Sequence, residues 1–190
     1  LLRKNISVLS QLSAVDGAVQ EMVNAGGLAQ CLELLKSRND DEELCANALM
    51  LLLEASNNGN AIDMLKQNSG VDTIVGTMEK HYAVSSLLDA GGKILGQLCS
   101  QEDIAKAIDA LKSNTTSEAE KRYAAAIVSN LAFDDEMLNA IVEGGGIKTL
   151  LALIESGDAP SNIADICVRA IGRLGTSAEG LEQLLSSNAI

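Results

Sequence analysis

Apolar residues fall along this chain at the spacing of a helix face. Four segments carry them at i, i+3, i+4 and i+7: Leu28, Cys31, Leu32, Leu35; Val71, Ile74, Val75, Met78; Ile104, Ala107, Ile108, Leu111; and Ile147, Leu150, Leu151, Ile154. Each set predicts one stripe of an amphipathic helix. The stripes start 43, 33 and 43 residues apart. A second column, Leu12, Ala55, Leu98, Leu131 and Leu174, closes a longer helical pattern, and its last four members each lie 27 residues after a stripe start. A third, shorter pattern puts Val19, Ile62, Leu138 and Leu181 in one position, with Met22, Leu65, Ile141 and Leu184 three residues further on. Between Leu98 and Ile104 there is no room for it.

The pattern predicts an all-α chain of units that each run short helix, medium helix, long helix. The period is 43, with one 33-residue unit that lacks its first helix. The expected boundaries are a partial unit at 1–13, units at 14–56 and 57–99, the short unit at 100–132, a unit at 133–175 and a partial unit at 176–190. Glycine marks the turn between the first two helices at Gly26–Gly27, Gly70 and Gly144–Gly146. A sharp reversal there calls for positive φ and close approach. Polar clusters at Ser37–Asp41 and Ser156–Asp158 close the medium helices, and Pro160 suits a first helical turn. Such a unit cannot bury its stripe alone, so stacked neighbours must share one core. The expectation is an inner part of a longer array.

Three helices per unit, a period within the roughly 40–47 residues of such repeats, glycine between the first two helices and Asn-Leu-Ala near the end of the third resemble the armadillo repeat. Glu143–Ser156 (EGGGIKTLLALIES) and Ser129–Ala132 (SNLA) carry the likeness most clearly, and it covers essentially the whole chain. Two features depart from it. Ala29, Asp72 and Lys148 stand near the place where a proline often follows the glycine turn. The third unit lacks its first helix, as degenerate armadillo and HEAT-like units do. The resemblance implies a right-handed superhelical solenoid whose third helices line a concave groove for extended partner segments.

Counting back from the Leu12 to Leu174 column, core contacts fall at −3, −4, −7 and −11. The −7 set is small: Asn5, Ala48, Gly91, Ala124 and Cys167. Groove positions then fall one turn apart, at −1 (Gln11, Glu54, Gln97, Asn130, Arg173) and −5 (Ser7, Met50, Lys93, Ala126, Arg169). The candidate partner-binding residues are Gln11, Met50, Glu54, Lys93, Gln97, Asn130, Arg169 and Arg173. Proteins similar to importin-alpha carry asparagines and tryptophans in these columns; only Asn130 matches, which argues against a nuclear-import receptor. Amides such as Asn130 and Gln97 can both donate to and accept from a partner's backbone. Lys93, Arg169 and Arg173 suit an acidic or phosphorylated segment, as in proteins resembling beta-catenin.

Composition sharpens this picture. Apolar residues make up 47%, which excludes disorder, while aromatics are 2% and tryptophan is absent. A core of aliphatic residues with a single proline favours helices over strands. The net charge of −12 argues against nucleic acid and anionic membrane surfaces as partners. No apolar run approaches the ~18 residues of a membrane span. Cys31, Cys45, Cys99 and Cys167 form no C-x-x-C pair, and are read as free thiols of a reducing compartment, cytoplasmic or nuclear.

Signals for chemistry are missing. Gly91, Gly92 and Gly96 do not give G-x-G-x-x-G spacing, and Ile94 after Lys93 excludes a P-loop. His81 is the only histidine, which excludes histidine triads and multi-histidine metal sites within the chain. The acidic runs Asp40–Glu43 and Asp134–Glu136 precede helices, where carboxylates complement the N-terminal dipole. No catalytic residue, metal or cofactor is expected, nor a small-molecule ligand. The function expected is a non-enzymatic scaffold for protein partners. The alternative is a rigid structural component of a large cytoskeletal or ciliary assembly without a peptide groove.

Overall fold

The computed structural model describes residues 17–157 and 159–187, and among them the chain is all-helical, with twelve α-helices and no strand. They are α1 Ala18–Asn24, α2 Gly27–Ser37, α3 Glu42–Ala55, α4 Gly59–Gln67, α5 Gly70–Lys80 and α6 Ser85–Leu98, then α7 Gln101–Lys112, α8 Glu118–Leu131, α9 Asp135–Glu143, α10 Gly146–Glu155, α11 Ser161–Leu174 and α12 Ala178–Ser186. The expected helix at 1–13, with Asn5, Ser7, Gln11 and Leu12, lies outside the described residues. The chain divides after Leu98 into two compact units, α1–α6 and α7–α12.

Helix starts follow from local chemistry. Asp41, Asn58, Asp134 and Ser177 accept hydrogen bonds from first-turn amides of α3, α4, α9 and α12. Ser100–Asp103 and Ser117–Glu120 form capping boxes on α7 and α8. One residue of each acidic run read from sequence, Asp41 and Asp134, therefore acts as a cap. Pro160 is the N-cap of α11, one residue before the helix. Only Cys99 and Ser100 separate α6 from α7, with no short helix between them.

The turns into α2, α5 and α10 each pass through a left-handed residue, but its identity differs. Gly26 (φ 72°) and Gly145 (φ 79°) fill it in two turns, while Ser69 (φ 58°) fills it in the third. Gly70, the glycine expected to supply positive φ there, serves close approach instead. A Cβ on it would sit 2.6 Å from the Leu65 carbonyl oxygen. Gly146 meets Ile141 in the same way, at 2.8 Å from its carbonyl oxygen. The first residue of the turn sets the backbone's handedness, and the next lets two helices touch.

In the first unit α1 packs on α2 and α4, α2 on α5, and α3 on α6. In the second unit α7 packs on α10, α8 on α11, and α9 on α12. Residues 42–98 and 118–174 carry helices at matching positions: α3, α4 and α6 coincide in bounds with α8, α9 and α11 at an offset of 76 residues. The core of each unit is aliphatic. Leu28, Leu32, Leu35, Leu49, Leu52, Ile74 and Met78 are fully buried in the first; Leu131, Ile141, Ile147, Leu150 and Leu174 are buried in the second. Burial of each such side chain contributes about 1.5–3 kcal/mol. The −7 set, Ala48, Gly91, Ala124 and Cys167, is buried, Gly91 against Met78 of the medium helix α5.

Candidate partner-binding face

The long helices carry the candidate residues, and their neighbours decide which ones reach solvent. On α3 and α6, packed side by side, Met50, Glu54, Lys93 and Gln97 are all exposed. Met50, at 42% exposure, offers an apolar surface beside one carboxylate, one ammonium and one amide. These four belong to one unit and to adjacent helices.

The second unit differs. Ala126 and Asn130 on α8 are buried, Asn130 at 2% exposure. The amide expected to lie open in a groove is instead enclosed, and among the described residues no buried side-chain nitrogen or oxygen is left without a partner. The cause is visible in α8 itself. Ala124–Val128 is apolar at five consecutive positions, and a helix apolar on every side is covered on every side.

Arg169 and Arg173 on α11 are half-buried. Arg173 Nε donates to the Ala132 carbonyl at 3.0 Å, and its guanidinium lies 4.8 Å from the centre of the Phe133 ring. It pins α11 to the end of α8, combining a charge-assisted hydrogen bond with a cation–π contact. The structure thus gives Arg173 an internal duty that spacing alone did not reveal. Gln11 lies outside the described residues.

Among the described residues, no three His, Cys, Asp or Glu side chains gather to hold a metal ion. Burial pushes the thiols of Cys31, Cys45 and Cys167 up to about 11, which keeps them neutral and poorly nucleophilic. Cys99 is half-buried. His81 caps α5, and its Nε2 lies 2.7 Å from the Asn39 carbonyl oxygen. No single described helix is long and apolar enough to cross a membrane; α9 and α10 reach that length together only across a 67° bend. Comparison with protein-family models, with curated proteins and with solved structures finds no match to the chain.

Proposed function

We propose that the chain is a non-enzymatic scaffold, an armadillo-like solenoid that holds an extended segment of a protein partner against its long helices. The observation that supports this most is the open row on α3 and α6, where Met50, Glu54, Lys93 and Gln97 stand exposed on two adjacent, equally long helices. Amide and ammonium groups there can bond a partner's backbone and carboxylates, while Met50 supplies adaptable apolar contact. Packing of α2 on α5, α3 on α6, α7 on α10 and α8 on α11 favours the stacked-repeat reading of the 43-residue spacing. Free, buried thiols favour a reducing compartment, cytoplasmic or nuclear.

The test is binding to an array of acidic and phosphoserine-bearing peptides, by the whole chain and by two variants. Lys93→Glu combined with Gln97→Ala should weaken every captured peptide about tenfold, a loss of ~1.4 kcal/mol. Lys66→Glu, on the short helix α4 and outside this row, should leave capture unchanged. Equal binding by all three proteins refutes the assignment of the face.

A second reading, a rigid architectural component, is favoured by Val168, Leu181 and Leu185, exposed at 58%, 45% and 58% on α11 and α12. Its mark is co-sedimentation with an insoluble cytoskeletal or ciliary fraction that Val168→Asp and Leu185→Asp abolish.

A further inference from the structure

The matching positions of residues 42–98 and 118–174 allow the two units to be compared side chain by side chain, and one of their differences lies beside a cavity. In the first unit the cleft between the α2–α3 turn and the α5–α6 turn is bridged. His81 Nε2 meets the Asn39 carbonyl oxygen at 2.7 Å, and Lys80 pairs with Asp40, whose carboxyl it holds below the usual range by hydrogen bond and charge. Beneath them Cys45 is fully buried.

At the offset of 76, every member of that bridge is changed. His81 corresponds to Gly157, Lys80 to Ser156, Asp40 to Thr116, Asn39 to Thr115 and Cys45 to Lys121. Gly157 has φ 69° where His81 has φ −111°. The loop has taken a left-handed step that a side chain resists, and the glycine itself offers no side chain to reach across as His81 does. What remains is a cavity of about 530 Å³ among the ends of α7, α8, α10 and α11.

We propose that this cavity is a binding site for a small organic anion with an apolar body, independent of the peptide-binding row. Its volume lies within the roughly 300–1,000 Å³ of small-ligand sites. Leu111, Leu153 and Ile163 give it an apolar wall, and Thr116 and Ser156 bring hydroxyls to it. Two cations line it in a chain of net charge −12: Lys112, whose contact with Asp109 is long at 3.7 Å, and Lys121, half-buried and without an ion pair among the described residues. Glu118, on the first turn of α8, is the one carboxylate among the described residues of the lining. A ligand's anionic group meets Lys121 and Lys112 while its apolar body covers Leu153, replacing the bridge that the first unit builds from its own residues.

The test is an amide chemical-shift titration of the whole chain with naphthalene-2-sulfonate, 2-naphthol and inorganic phosphate in parallel. The expected result is saturable binding of the sulfonate, with shifts confined to residues 111–121 and 149–163. The neutral naphthol and phosphate should both bind more weakly. Lys121→Gln should weaken the sulfonate about tenfold, as loss of a charge-assisted contact does, while Lys66→Gln on α4, outside the lining, leaves it unchanged. Should Lys121→Gln not fold, Lys112→Gln serves the same comparison. Absent or scattered shifts, equal binding of the naphthol, or equal binding of phosphate overturns the proposal. None of these results bears on the α3–α6 row.

Discussion

Two glycines six residues apart in α5 should respond to the same substitution with opposite sign. Gly70 opens the helix against α4, and a Cβ there would lie 2.6 Å from the Leu65 carbonyl oxygen, 3.0 Å from its carbonyl carbon and 3.1 Å from its Cβ. All three belong to the main chain or its first side-chain atom, so none can swing aside. Overpacking of this kind costs about 1–3 kcal/mol. The stiffer unfolded chain of an alanine variant returns about 0.4–1 kcal/mol. Gly70→Ala should therefore destabilise the protein by about 1–2 kcal/mol. Gly76 is exposed within the same helix, and a Cβ there meets nothing within 4 Å. Gly76→Ala removes only the helix penalty of glycine, a gain of about 0.5–1 kcal/mol. Urea unfolding followed by circular dichroism reads both. With m values of about 1–3 kcal/mol/M, the midpoint should fall by about 0.5–1 M for Gly70→Ala and rise for Gly76→Ala. A shift of the same sign in both variants refutes the account of the turn.

Other outcomes follow from the same geometry. Ser69→Gly should stabilise by about 0.5–1 kcal/mol in the same assay, since left-handed backbone costs a non-glycine residue about 1–2 kcal/mol and glycine's extra unfolded freedom takes back part. Asp134→Ala should lose about 1 kcal/mol, because it removes the acceptor for the Glu136 and Met137 amides. Burial raises the thiols of Cys31, Cys45 and Cys167 from 9.0 to about 11. The unfolded chain therefore loses these protons first, and their contribution to stability is complete below pH 9 and disappears between pH 9 and 11. Denaturation midpoints measured across that range should fall, and a flat profile counts against burial of the thiols.

Much of the fold was legible because each helix announces itself locally. The stripes at Leu28 and Ile104 lie wholly in buried positions of α2 and α7, and the cap residues Asp41, Asn58, Asp134 and Ser177 sit where polar residues interrupt the apolar periodicity. The candidate face was legible only in part. An offset of −1 or −5 fixes a direction around a helix axis, and leaves open what stands opposite. On α3 and α6 that direction is open; on α8 it is closed, a difference signalled by the unbroken apolar run Ala124–Val128. Arg173 could not be assigned from spacing, because its partners, the Ala132 carbonyl and the Phe133 ring, lie about 40 residues away in sequence. Ser69 escaped notice because a glycine follows it, and the adjacent Gly70 was the natural bearer of positive φ. The cavity at Lys121 was readable only by laying one half of the chain over the other, where Gly157 replaces His81.

The account rests on α3 and α6 standing side by side, parallel and in register, with Met50, Glu54, Lys93 and Gln97 on one open face. Cysteine pairs linked by a short bismaleimide test this directly, in a background where Cys99 is serine. Neighbouring helices pack with axes about 8–10 Å apart, so Glu54→Cys with Gln97→Cys, and Met50→Cys with Lys93→Cys, should crosslink rapidly in the folded protein. Glu54→Cys with Ser86→Cys should not, since residue 86 lies about 16 Å further along α6 at 1.5 Å per residue. Equal rates for the 54–97 and 54–86 pairs, or faster linkage of the second, would contradict parallel stacking and the binding face built upon it.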